Sequence, residues 1–146
     1  MRFMIIVPGD AASEAGGTGS ERQFADMQSY NEEMLRAGVF VAGEGLHPTA
    51  KGAQVTWEDD DWVVTDGPFA EAKELIAGFT IIEVSSREEA VEWVKKWPRS
   101  CVPGSGQALE LRQVYSPEDF AEALSPELFA RDARMREEAA RNAARG

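Results

Sequence analysis

The sequence is short of cysteine, histidine and positive charge, and each shortage narrows what the chain can do. Its one cysteine, Cys101, has no intrachain partner for a disulfide, so a reducing compartment is the simplest setting. That thiol sits in a Pro/Gly-rich loop with no histidine near it in sequence, and without a base an inert thiol is the expectation. With one histidine, His47, there is no H-x-x-x-H pair, and no C-x-x-C or EF-hand spacing accompanies it; no metal and no cofactor are expected. Fifteen Lys and Arg stand against 26 Asp and Glu, a net charge of -11. That is the wrong sign for gripping phosphates or docking on anionic lipid, so neither nucleic acid nor membrane is an expected partner. Long apolar runs are missing too. The opening MRFMIIVPGD loses its apolar character after a handful of residues, far short of a signal-peptide core or a span, and a cytoplasmic protein is expected.

What is present suits a single core: 146 residues, 43% hydrophobic and 28% charged. RFMIIVP (2–8) is an aliphatic run closed by Pro8 and Gly9 and predicts a buried strand. GDAASEAGGTGS (9–20) reads as a small-residue loop. It has no lysine and two acids, Asp10 and Glu14, so it is not a phosphate loop. Ser20 with Gln23 is a capping box opening a helix, along which Phe24, Met27, Met34 and Leu35 fall at helical spacing before Gly38 closes it. Tyr30 lies between those positions, within reach of either the core or a neighbouring site. VFVAGEGL (39–46) predicts a second strand. AQVTWEDDDWVVTD (53–66) alternates, turns through acids and returns, which predicts a hairpin. AEAKEL (70–75) predicts a brief helical segment, and GFTIIEV (78–84) another strand. Ser86 with Glu89 marks a further helix, striped by Ala90, Trp93, Val94 and Trp97 and ended by Pro98; ALELRQV (108–114) alternates as a last strand.

Without the hairpin the order is strand–helix–strand–strand–helix–strand, the ferredoxin-like βαββαβ arrangement of an α+β protein, with helices on one face of an antiparallel sheet. The first and fourth strands are apolar on both faces, Phe3, Ile5 and Val7 against Met4 and Ile6, and Phe79 and Ile81 against Ile82 and Val84. A wet second face would alternate, so two sheets packed face to face in a homodimer are expected, the alternative being cover by the C-terminal helices. Two Ser-Pro-acid signals, SPED (116–119) and SPEL (125–128), open those helices. The division expected is a domain over 1–115 and a C-terminal helical extension over 116–146. The last helix offers only Leu128, Phe129 and Met135 as large apolar anchors, too few to hold it, so it is expected to fray or to pack against a partner chain.

YNEEMLRAGVFVAGEGLHPTAKGAQV (30–55), VTDGPFAEAKELIAGFTIIEV (64–84), REEAVEWVKKWP (87–98) and LRQVYSPEDFAEALSPEL (111–128) resemble the YCII-related proteins, in the branch named for its DGPF motif. The resemblance implies a dimeric α+β barrel of ferredoxin-like protomers. It also implies that some relatives are small enzymes with a His–Asp pair in a pocket, and that some DGPF members are associated with extracytoplasmic-function sigma factors.

The motif draws attention to Asp66. Pro68 fixes its own φ, Gly67 permits backbone that other residues resist, and Phe69 is an apolar anchor, so a carboxylate would be held with little freedom. Apolar neighbours would raise its pKa toward the range of a general base. Asp before Gly is equally an ordinary turn residue. His47 lies in the same strand-to-strand connection and would form a proton-transfer dyad if the two converge. Candidate catalytic residues are therefore Asp66 and His47. Candidate ligand-binding residues are Gly67, Pro68, Phe69, Lys73, Glu44 and Tyr30, with Lys73 placed to pair with Asp66 or attract an anion. Two functions follow as expectations. One is a small-molecule pocket beside DGPF with cofactor-free proton abstraction or elimination. The other is a non-catalytic ligand-sensing or regulatory module docking on a partner such as a sigma factor, with the C-terminal helices as a route.

Overall fold

The computed structural model describes residues 1–69 and 75–145. The elements run β1 (Arg2–Pro8), α1 (Ala11–Glu14), α2 (Glu21–Arg36), β2 (Phe40–Gly45), β3 (Ala53–Glu58), β4 (Asp61–Asp66), β5 (Ile76–Glu83), α3 (Arg87–Lys95), β6 (Glu110–Gln113) and α4 (Pro126–Ala143). Short 3-10 turns lie at Thr49–Lys51, Arg99–Cys101 and Pro117–Phe120. The predicted helical segment at 70–75 falls almost wholly outside the described residues. Contacts divide the chain into two compact units, Met1–Gln113 and Val114–Gly146.

In the first unit four strands form one sheet in the order β2-β5-β1-β6, with every neighbouring pair antiparallel. Two interleaved β-α-β units with this order make a ferredoxin-like α+β fold. The register pairs Phe3 with Ile82 and Ile5 with Thr80, so these side chains share the face that receives α2 and α3. There the core forms around Phe3, Ile5 and Ile82 from the strands and Val84 just past β5, with Tyr30 and Met34 from α2 and Ala90, Trp93 and Trp97 from α3 and its end. Successive strand residues point to opposite faces. Met4, Ile6, Phe79 and Ile81 therefore line the other side, where they are half-buried and outside the core cluster.

The caps explain the helix limits. Ser20 accepts from the Gln23 amide while Gln23 returns a bond to the Ser20 amide, the box the sequence predicts. At the other end Gly38 has φ +73°, and the Gly38 and Val39 amides donate to Leu35 and Met34 carbonyls. This double closure suits a left-handed residue and needs glycine. The box at α3 is half made: Ser86 caps the Glu89 amide, but the Glu89 carboxylate accepts from the Ser85 amide instead. The predicted loop 9–20 contains a further turn of helix, α1, because Asp10 and Ser13 cap one another reciprocally. β6 is shorter than the alternation of 108–114 suggests.

Between β2 and β5 the chain leaves the sheet, and among the described residues β3 and β4 pair only with each other. Their two-residue connection places Asp59 at φ 49° and Asp60 at φ 64°. Positive φ at both central positions is the mark of the type I′ turn that matches strand twist. In the second unit, the SPED signal yields the 3-10 turn and SPEL yields α4, capped by Ser125 and carrying Pro126 in its first turn.

Candidate functional site

The corner that follows β4 is fixed from below by close backbone approach. A Cβ built on Gly67 would stand 1.7 Å from the Thr49 carbonyl oxygen, so only glycine fits. Its φ is not in the left-handed region; the requirement is space rather than unusual backbone. The Gly67 amide donates to the Gly52 carbonyl at 3.0 Å, tying the corner to the Thr49–Lys51 turn. Phe69 lies over Gly52, at 3.7 Å from where a Cβ would stand. The Gly67–Pro68 bond is cis.

That turn is itself held by a residue outside the motif. The Glu14 carboxylate, at the end of α1, accepts the Thr49 amide at 3.1 Å and also the Thr49 hydroxyl. Gly9, just before α1, donates its amide to the Leu75 carbonyl at 2.9 Å, and the Leu46 amide donates to Ala77 at 2.8 Å. Gln107 reaches across to the Gly9 carbonyl at 2.7 Å. The connection from 46 to 75 is thus pinned at both ends and once in its middle. Sequence reasoning missed Glu14 and Thr49 as parts of this site. The available signal was D-x-x-S at Asp10–Ser13, a cap that converts a loop into a turn of helix and so aims Glu14.

Asp66 closes the base of the β3–β4 ribbon, opposite Ala53 in the register, and is exposed. Among the described residues its carboxylate has neither a hydrogen bond nor an ion pair. His47 and Glu44 are also exposed; Glu44 stands beside Phe79 in the β2–β5 register, on the side of the sheet away from the core. No hydrogen bond joins His47 to Asp66 among the described residues. Lys73 lies outside them. Tyr30 occupies the core, where its hydroxyl donates to the Trp93 carbonyl at 2.8 Å and its ring meets Trp97 edge-on at 5.5 Å. Burial, with the nearby Glu33 charge in second place, pushes the phenol up to about 12, so it stays protonated as a donor. One open depression of about 320 Å3 lies beside Tyr30, lined also by Arg22, Asp26, Lys96, Arg99 and Ser100. Asp66, His47 and Glu44 do not line it. Cys101 is half-buried, with its thiol on the Gln23 carbonyl at 3.4 Å.

The ribbon itself is apolar on one side. Val55 faces Val64 and Trp57 faces Trp62, the two indoles meeting edge-on at 5.0 Å. Alternation puts Asp66 on this same side, at the opposite end from the acidic tip. Trp62 and Val64 each remain 62% exposed, so no described part of the molecule covers this face.

Comparison with known proteins gives two findings. A family model described as the YCII-related domain matches residues 1–113. An uncharacterized protein of Rhizobium meliloti is 32% identical over 75 residues, which cover 51% of this chain and 60% of that protein's length. The chain therefore spans less than two thirds of that relative.

Proposed function

The chain belongs to the YCII-related domain family, and from that premise we propose that it binds a small molecule beside the Asp66–Phe69 corner, with Asp66 as a general base. One observation carries this reading: a backbone corner that tolerates no side chain at Gly67 presents a carboxylate that has no partner among the described residues. A turn-forming aspartate would be expected to bond its own main chain. The proposed pocket is completed by a second copy, whose sheet packs on the open face formed by Met4, Ile6, Phe79 and Ile81. Such a dimer removes an apolar surface from water and encloses the corner. Enclosure would strip water from the Asp66 carboxylate, which makes it a better proton acceptor. His47 and Glu44 contribute polar contacts at the mouth. The substrate class is a small, partly apolar molecule with an acidic C–H, taken by proton abstraction or elimination.

The test is a fragment library enriched in small carbonyl compounds, read by ligand-observed NMR against wild type and Asp66→Asn. Fragments should bind wild type and lose affinity for the variant while the unfolding midpoint stays unchanged. Equal binding by both proteins would refute the assignment. The alternative, a non-catalytic sensing or regulatory module, is favoured by one feature, the exposed Trp57–Trp62 face, which suits a protein partner such as a sigma factor.

A further inference from the structure

We propose that α4 pairs antiparallel with α4 of a second copy of this chain. None of its 18 residues is buried, and Leu128 and Met135 are 51% and 59% exposed. Such a helix lacks the tertiary packing that supplies most helical stability in proteins, and a partner surface would supply it. Leu128, Arg131, Met135, Glu138 and Asn142 recur at alternating spacings of three and four, a seam of heptad spacing that is apolar at Leu128 and Met135 and polar between them.

The charges on that seam select the partner. The ion pairs within α4, Asp132–Arg136 and Glu137–Arg141, lie off it. Arg131 and Glu138 lie on it and have no ion-pair partner among the described residues. Two such seams laid parallel would set arginine against arginine and glutamate against glutamate. Laid antiparallel about Met135, Arg131 of each helix comes within one residue of Glu138 of the other, while Met135 meets Met135. The stripe is thus its own electrostatic complement in one direction only. Net charge agrees. Residues 126–145 hold five arginines and four carboxylates, a net +1 in a chain of -11, so here two copies can approach without repulsion. An open depression of about 600 Å3 lies beside Leu128, Ala130, Arg131 and Arg134, all of them on α4 itself.

The inference is independent of the sheet pairing proposed above. It is tested in the full chain with Cys101→Ala, adding Met135→Cys or Leu128→Cys and a short bismaleimide. Met135→Cys should give a covalent dimer. Leu128→Cys should not, because antiparallel helices hold its two copies about 20 Å apart at 1.5 Å per residue. Arg131→Glu should lower the Met135→Cys yield by about tenfold, and adding Glu138→Arg should restore it. Circular dichroism checks that each variant stays folded. Absence of the Met135 cross-link, equal linking at both positions, or indifference to Arg131→Glu would each overturn the proposal. Ile6→Glu, which removes sheet pairing, should leave the Met135 cross-link intact.

Discussion

At the scale of single residues, Gly67 shows how a motif glycine can be required for a reason its neighbours in sequence do not carry. Glycine before proline suggests backbone freedom, yet this one is required by the Thr49 carbonyl, 1.7 Å from its would-be Cβ. Because the obstructing atom is backbone, the corner must move to admit a methyl. Gly67→Ala is expected to cost about 1–3 kcal/mol, the usual range for forcing an extra carbon into a filled space. It should also expose the Gly67 amide to exchange by breaking its bond to Gly52. Denaturant midpoints and hydrogen exchange at Gly67 measure the two effects, and an unchanged midpoint with full protection would contradict the account. Asp66 and the DGPF corner were legible as a chain segment. Glu14 was not, because 35 residues separate it from Thr49 and only the folded chain brings them together. Tyr30 was left between core and site by its spacing; the Trp93 carbonyl placed it in the core.

At the scale of elements, most limits follow from local chemistry. Ser20, Gly38 and Ser86 fix helix ends through bonds spanning three to five residues, which sequence spacing encodes directly. Glu89 is a variation on this pattern. Its carboxylate accepts the Ser85 hydroxyl and amide, and these bonds hold its pKa below the ordinary glutamate value. A depressed acid stabilises the fold above its unfolded pKa and loses that contribution as pH falls through the folded one. The difference in unfolding midpoint between wild type and Glu89→Gln should therefore be constant at neutral pH. It should shrink as acid passes below about 4.3, the ordinary glutamate value. A difference independent of pH down to complete protonation would show that the charge on Glu89 contributes nothing. The β3–β4 ribbon is likewise local: alternation and two positive-φ residues define it without help from the sheet.

At the scale of the molecule, the proposed dimer turns on the face of the sheet away from α2 and α3. Met4, Ile6, Phe79 and Ile81 are apolar on the side away from the helices, and a sheet exposed there would alternate with polar residues. A chain ended at Gln113, the boundary of the first compact unit, is expected to fold and to dimerise. Ile6→Glu in that shortened chain should give a folded monomer in sedimentation, since burying a carboxylate between apolar sheets costs more than the contact returns. A dimer that survives the substitution would place the interface elsewhere. The C-terminal unit is absent from that experiment, which keeps sheet pairing separate from pairing through α4.

The sequence by itself determined the order of the strands and of α2 and α3, the caps at Ser20, Gly38 and Ser86, the ferredoxin-like pattern and the location of the DGPF corner, since each rests on periodicities and bonds only a few residues long. The tertiary structure alone decided why Gly67 must be glycine, which carboxylate holds the Thr49 turn, and that one side of the ribbon is left uncovered. Those facts depend on atoms far apart in the chain meeting within van der Waals distance, and no local spacing carries that information.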